Sequence, residues 1–211
     1  MWPNGLLNIT SRGRSIEPCV YLTFDDGPDP RFTPRLLELL AEHQATASFF
    51  VLGEACVAHP RLVRQIAAAG HDVGIHSYTH EHPWRLTAKD ARAELQRCYQ
   101  TLADTTGEAP TLFRPAYGRM RPATLKEANK LQLCTVLWNR SVIDWGRWGT
   151  LPAVSRRLAA IKPGDIVLMH DARPEANRPQ VTLQALQTFF STDTAAHLEF
   201  SGLSQLAATP N

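Results

Sequence analysis

The residues able to do chemistry in this chain stand at the ends of apolar runs. Residues 19–24 (C-V-Y-L-T-F) break off at Asp25-Asp26-Gly27-Pro28, and residues 72–75 at His76, with His80 four positions on. Residues 111–113 run into Arg114-Pro115-Ala116-Tyr117-Gly118, residues 133–138 lead towards Asp144-Trp145, and residues 165–169 end in His170-Asp171. Two histidines four apart on a turn can grip one ion; imidazole prefers zinc and similar borderline metals, and a carboxylate commonly completes the set. Asp25 or Asp26 could supply it. The H-x-x-x-H spacing alone is unspecific, whereas the adjacent carboxylates say more. At the end of an apolar strand they repel each other unless a cation or an arginine compensates. One carboxylate on a metal and the other facing Arg114 would account for both charges. A solvated acidic turn, the plain alternative, explains neither the apolar approach nor Gly27-Pro28.

Elements that alternate in period must position these clusters. Helical spacing is expected over 33–43, with Leu36, Leu37, Leu39 and Leu40 on one face, and a strand over 47–52 closed by Gly53. Pro60 opens a helix through Leu62, Val63 and Ile66 that Gly70 stops. A strand at 72–75 is followed by a long polar helix over 87–102, with Asp90 three residues after a Thr87 cap. Then come a strand at 111–113, a helix at 122–131, a strand at 133–138, a helix at 153–161, a strand at 165–169, a helix at 182–190 and a last strand at 197–203. About seven strand–helix units argue for parallel strands with helices packed outside, as a barrel or an open doubly wound sheet. In either case functional groups gather where strands end, so the five clusters meet at one face.

The 211 residues, 44% hydrophobic and 20% charged, suit one soluble domain spanning 1–211 rather than a disordered chain. A formal charge of +2 with dispersed Lys and Arg argues against nucleic acid or an anionic membrane as the main partner. No window approaches the roughly 18 apolar residues of a membrane span. The first ten residues lack the positive start and apolar run of a secretory leader. A cytoplasmic protein is expected, or an extracytoplasmic one if a leader has been removed. Cys19, Cys56, Cys98 and Cys134 are far apart without a C-x-x-C pair, and read as buried thiols. Nothing in the sequence fixes an oligomeric state.

Thr23-Phe24-Asp25-Asp26-Gly27-Pro28, His76-Ser77-Tyr78-Thr79-His80, Arg114-Pro115-Ala116-Tyr117-Gly118, Asp144-Trp145 and Leu168-Met169-His170 resemble, in order, the five motifs of the polysaccharide deacetylases that share the NodB homology domain. The likeness spans residues 19–171. It implies a distorted (β/α) barrel of about seven parallel strands, and hydrolytic removal of N-acetyl groups from an N-acetylated amino sugar, releasing acetate. It also implies one divalent ion, zinc foremost, with cobalt, nickel or manganese as alternatives, held by Asp26, His76 and His80. By the same resemblance Asp25 is the general base, oriented by Arg114. The Tyr117 N–H helps hold the oxyanion, and His170 is the general acid, its pKa raised by Asp144. Trp145 and Leu168 would wall a pocket for the acetyl methyl, with Pro115 beside them as a substrate contact.

Two positions depart from the family pattern. Ser141 stands where the first aspartate of D-x-x-D-W often lies, and Ala116 replaces the second proline of R-P-P-Y, which could loosen the turn that aims the Tyr117 N–H. His82 could compete with His80 as a ligand. His43, His59, His71 and His197 read as surface or loop histidines. Trp84, Trp148 and Tyr78 are candidate sugar-stacking platforms, and Asp171 and the Pro-rich stretch 172–180 candidate loop or substrate residues. Two other functions fit the same residues: hydrolysis of a cyclic amide or imide, as some relatives perform, and carbohydrate binding without catalysis. The first predicts altered ligand or acid motifs, the second damage at Asp25 or His170; neither is present.

Overall fold

A computed structural model describes residues 9–13 and 18–208. The residues before Ile9, on which the reading of a missing leader mostly rests, lie outside the described residues. Strands β1 (Ile9–Thr10), β2 (Cys19–Asp25), β3 (Ala47–Leu52), β4 (Asp72–Ser77), β5 (Leu112–Phe113), β6 (Cys134–Val136), β7 (Arg140–Ser141), β8 (Ile166–His170) and β9 (Glu199–Phe200) are interspersed with helices. These are α1 (Thr33–Glu42), α2 (Gly53–Ala58), α3 (Pro60–Ala68), α4 (Ala88–Thr106), α5 (Pro122–Lys130), α6 (Leu151–Leu158), α7 (Pro179–Phe190), α8 (Asp193–Ala196) and α9 (Ser204–Ala208). Every strand pair in the sheet is parallel, in the order β1-β6-β5-β4-β3-β2-β8-β7, with β9 against β2. The body is the seven strands β2–β8, extended by the two-residue β1 and β9. Among the described residues β1 and β7, at the two ends, do not pair with each other, so the sheet curls into an open half-barrel. This is the distorted (β/α) barrel that the family resemblance implies, one of the two architectures that the alternation leaves open.

Parallel strands need crossovers, and the helix starts are written into the chain. Proline stands at the first or second position of α1, α3, α5, α6 and α7, where its missing N–H leaves nothing unpaired. The Thr87 hydroxyl accepts from the Asp90 N–H at 3.2 Å and donates to its carboxylate at 2.7 Å, starting α4; Gly107, at φ 81, ends it.

Strand β2 is buried on both faces, as a central parallel strand is. Val20, Leu22 and Phe24 pack outward into the main core with Leu40, Val63, Ile66, Leu95, Leu158 and Leu186 from the helices. Cys19 and Tyr21 join Phe50, Leu112, Cys134, Val136, Ile166 and Leu203 in a smaller cluster on the concave side. Thr23 and Asp25 continue that inner column, so its lower half is apolar and its upper end is charged.

Several local expectations change. Gly53 follows the last residue of β3, as expected, and also opens α2; a Cβ there would strike the Tyr78 ring. The strand expected over 197–203 is β9 alone, because this segment meets only Cys19 and Val20 of β2, while Thr192 caps the short α8 just before it. His71 is buried rather than on the surface, its Nδ1 accepting the Ala47 N–H at 3.2 Å. Tyr78 is buried too, its ring covered by the Arg97 guanidinium 3.7 Å away, so it offers no platform for a sugar. The four cysteines are free and buried, as expected. No helix among the described residues is long and apolar enough to cross a membrane.

Candidate active site

The C-terminal ends of β2, β4, β5 and β8 deliver the charged residues to one mouth. Asp25 and His170 are register partners across β2 and β8. Between β3 and β4 the register runs Val51↔Ile75 and then Leu52↔Ser77, which leaves His76 as the extra residue of a bulge. Such bulges re-aim a side chain and end the pairing beside functional sites. Beyond it the loop is held by Glu94 of α4, whose carboxylate accepts from the N–H groups of Tyr78 and Thr79. The Ser77 hydroxyl accepts the His80 N–H at 2.9 Å.

Asp26, His76 and His80 present ligand atoms that all lie within 4.8 Å of one another. Asp26 Oδ1 is 3.5 Å from His76 Nε2 and 3.2 Å from His80 Nε2. That oxygen is buried and has no hydrogen-bond partner among the described residues, a costly state unless a cation faces it. His76 Nδ1 lies 2.9 Å from the Arg114 carbonyl, so Nδ1 carries the proton and Nε2 keeps its lone pair for the cluster. Burial pushes the His80 imidazole down to about 4, against the pull of Asp26 and helped by His76 and Arg173, which keeps it neutral and able to ligate. Although burial works to raise it, the Asp26 carboxyl is held below the ordinary range by His76, His80, His170 and the Asn177 amide. A carboxylate and two imidazoles, one oriented through a backbone carbonyl, fit a divalent ion of the zinc type. His82 stands apart from this group, its Nδ1 accepting the Trp84 N–H.

Asp25 and His170 flank the cluster with their own partners. Arg114 is fully buried and donates to Asp25 Oδ1 at 2.8 Å and to the Thr23 hydroxyl at 2.6 Å, its guanidinium 4.2 Å from the Phe50 ring centre. Asp25 Oδ2 lies 3.8 Å from His76 Nε2. On the other side, His170 Nδ1 lies 2.8 Å from Asp144 Oδ1, while Asp144 Oδ2 accepts from the His170 N–H at 2.8 Å and the Thr182 hydroxyl at 2.7 Å. Burial works to lower the His170 pKa, but Asp144, aided by Asp26 and Asp25, raises it to about 9. The imidazolium is therefore the dominant form at neutral pH.

These groups open into a cleft of about 470 Å³ lined by Asp25, Asp26, His76, His80, His170, Tyr117, Trp145 and Leu168. His82, Arg119, Trp138, Arg173, Ala176 and Asn177 complete its walls. Of the residues singled out in the sequence, Arg114 and Asp144 lie behind the cleft. Pro115 does not line it: it is buried against a separate cavity of about 40 Å³ with Phe113 and Ala116. The Tyr117 ring is half exposed and lies 4.6 Å from His80, its backbone in the left-handed region at φ 59. Ser141 is the last residue of β7, its hydroxyl accepting the Ile143 N–H. Asp171 is buried, one of its oxygens without a hydrogen-bond partner among the described residues, and burial, with Asp26 adding, pushes it up to about 7. Asn177 and Arg173 went unread in the sequence except as part of a polar loop, and Trp138 as the end of a strand; nothing local distinguishes them.

The backbone is strained where the site is. Of seven non-glycine residues with positive φ among the described residues, Asp26, His80, Tyr117, Ile143 and Arg173 ring the cleft or the turn into Asp144, while Gln44 and Gln132 follow helix ends. Each such residue costs roughly 1–3 kcal/mol and persists where its surroundings over-determine it, which is common at functional sites.

Residues 12–136 match the polysaccharide deacetylase family. A chitooligosaccharide deacetylase of Sinorhizobium fredii is 36% identical over 169 residues, covering 80% of this chain and 79% of the relative. Among solved structures, the Bc1960 peptidoglycan N-acetylglucosamine deacetylase, in complex with 4-naphthalen-1-yl-N-oxidanyl-benzamide, superposes with a TM-score of 0.87 at 28% identity, covering 97% of this chain and 94% of that one. BA3943 of Bacillus anthracis, a CE4 family pseudoenzyme, superposes with a TM-score of 0.82 at 29% identity, over 94% of this chain and 68% of that one. The sequence match and the shared half-barrel agree, and this chain belongs to the polysaccharide deacetylase family.

Proposed function

We propose that this chain, acting as one domain, is a metal-dependent hydrolase that removes N-acetyl groups from N-acetylglucosamine-type glycans. The observation that carries the reading is the orphaned, buried Asp26 Oδ1 between two imidazole nitrogens, with a base and an acid on its two sides. Asp26, His76 and His80 are assigned as ligands, and zinc as the ion best suited to them. When bound, such an ion supplies Lewis acidity, polarising the acetamide carbonyl and acidifying the attacking water.

The remaining steps belong to the chain. Asp25, oriented by Arg114 on Oδ1, takes the water proton. The Tyr117 N–H steadies the oxyanion of the tetrahedral carbon. His170 gives its proton to the departing amine as the carbon–nitrogen bond breaks, leaving acetate and the free amino sugar. An amine leaves poorly without that proton, and the raised His170 pKa keeps the acid loaded at neutral pH. Trp145 and Leu168 wall the place of the acetyl methyl.

Because one protein of this fold is a pseudoenzyme, the fold alone does not decide activity; the intact acid, base and ligand positions favour an enzyme. Acetate release from chitin oligomers, with and without chelator, tests the reading. Chelator should abolish release and zinc restore it, while Asp25→Asn should lose turnover and keep its metal. Release that ignores chelator, or none after zinc is restored, would overturn the proposal.

A further inference from the structure

Asp26 has two carboxylate oxygens with different surroundings. Oδ1 faces the imidazoles without a hydrogen bond, whereas Oδ2 accepts the Asn177 side-chain amide at 2.8 Å. The second proton on Asn177 Nδ2 goes to the Ala172 carbonyl at 3.0 Å. Both partners are acceptors, so only the nitrogen of the amide suits this position and its orientation is unambiguous. Asn177 is buried, 5% exposed, and its backbone is bridged to Trp145. On either side, the Arg178 N–H donates to the Asp144 carbonyl at 2.7 Å and the Gly146 N–H to the Ala176 carbonyl at 3.2 Å. The amide is thus carried on a segment locked to the turn that holds the His170 partner. Asp26 itself sits at φ 75, a conformation that its own backbone does not favour.

We propose that Asn177 is a positioning residue for the metal ligand Asp26: by occupying Oδ2 it fixes the carboxylate so that Oδ1 alone is offered to the ion. The floor of the same turn comes from the same segment. A Cβ on Gly27 would strike the Asp171 carboxylate, and Asp171 is anchored in turn by the Thr33 hydroxyl at 2.5 Å. Arg173 Nη1 also lies 3.7 Å from Oδ2, beyond hydrogen-bond reach, so the amide is the group that bonds this oxygen and sets its direction. Partners that orient metal ligands commonly change affinity 10–100-fold when removed.

The inference rests on Asp26, His76 and His80 being the metal site, so the test carries a control for that reading. Zinc affinity of the full chain is measured by competition with a chromophoric chelator for wild type, Asn177→Leu, Asn177→Ala and His80→Ala, with thermal unfolding of each metal-free protein alongside. Leucine keeps the branched shape of the amide without its polar atoms but is bulkier, and alanine carries the test should leucine not be accommodated. The Asn177 variants should bind zinc roughly 10–100-fold more weakly and regain near-wild-type turnover at saturating zinc. A variant that unfolds at lower temperature yet binds zinc as tightly as wild type shows a merely structural role and overturns the assignment. Wild-type affinity in His80→Ala instead overturns the metal-site reading; loss there with no loss in the Asn177 variants removes the Asn177 role alone.

Discussion

His80 and His170 face the same cleft, each beside a buried carboxylate, yet one imidazole is pushed down to about 4 and the other up to about 9. The difference lies in how the carboxylate is shared. Asp26 is 3.2 Å from His80 but also faces His76 and accepts from Asn177, and the neighbouring His76 and Arg173 oppose a charge on His80. Asp144 is fully buried, bonds His170 at Nδ1, and has its other oxygen filled by the His170 N–H and Thr182. A dedicated, saturated carboxylate outweighs desolvation, whereas a shared one does not. The same residue pair therefore gives a ligand on one wall and an acid on the other.

The contrast predicts different losses when either imidazole is removed. His80→Ala should lose zinc retention and turnover together, whereas His170→Ala should keep its zinc and lose about 10²–10⁴-fold in turnover. Metal analysis beside acetate release separates them, and equal zinc loss in both would erase the distinction. Asp144→Asn should next bring the His170 pKa down from about 9 towards its ordinary 6.5, seen by NMR titration of the metal-free chain. The alkaline limb of turnover should move to lower pH with it. In the parent, the raised pKa means that the pair stabilises fully below about 6.5 and weakens as pH rises through about 9; the variant should lose that decline and about 3 kcal/mol at pH 6.

Asp171 offers a smaller test, since burial, with Asp26 adding, raises its carboxyl further than the Thr33 hydroxyl and the His170 imidazolium lower it. With a folded pKa of about 7 above the ordinary 3.8, its neutral form favours folding at low pH and that advantage fades as pH rises through 7. Asp171→Asn should unfold at higher temperature than the parent at pH 8, by about 1–3 kcal/mol, with the gap closing below pH 4. A gap that does not change with pH would count against a buried neutral carboxyl. Ala116→Pro touches neither histidine and should matter least. Position 116 opens a short turn after Pro115, where proline suits the backbone, and the change should add about 0.4–1 kcal/mol in urea unfolding while leaving both imidazole titrations unchanged.

The elements bearing motifs were legible because each announces itself locally: the apolar runs at β2, β3 and β8, the Thr87 cap, and the prolines that open helices. The convergence of Asp25, Asp26, His76, His80, Arg114 and His170 followed from parallel topology once the strand ends were placed. What stayed hidden depends on contacts remote in the chain. β1 and β7 are two-residue strands specified by their partners, β9 is shorter than the strand expected there, and α2 begins at a glycine that reads as a stop. His71 looks like any loop histidine until Ala47 is found beside it. Asn177 sits among prolines and charges like a surface residue, though its amide reaches a carboxylate 151 positions earlier.

The alternation along β2 has a consequence for folding. Cys19, Tyr21, Thr23 and Asp25 share one side of the strand while Val20, Leu22 and Phe24 share the other. A slip of one residue against β3 or β8 would exchange the two sets, thrusting an unpaired carboxylate among the leucines of the helices and stranding the Arg114 guanidinium opposite a phenyl ring. The penalty for mispairing is thus concentrated in the residues assigned to chemistry, and the charges at the barrel mouth also proofread the alignment of the sheet that carries them.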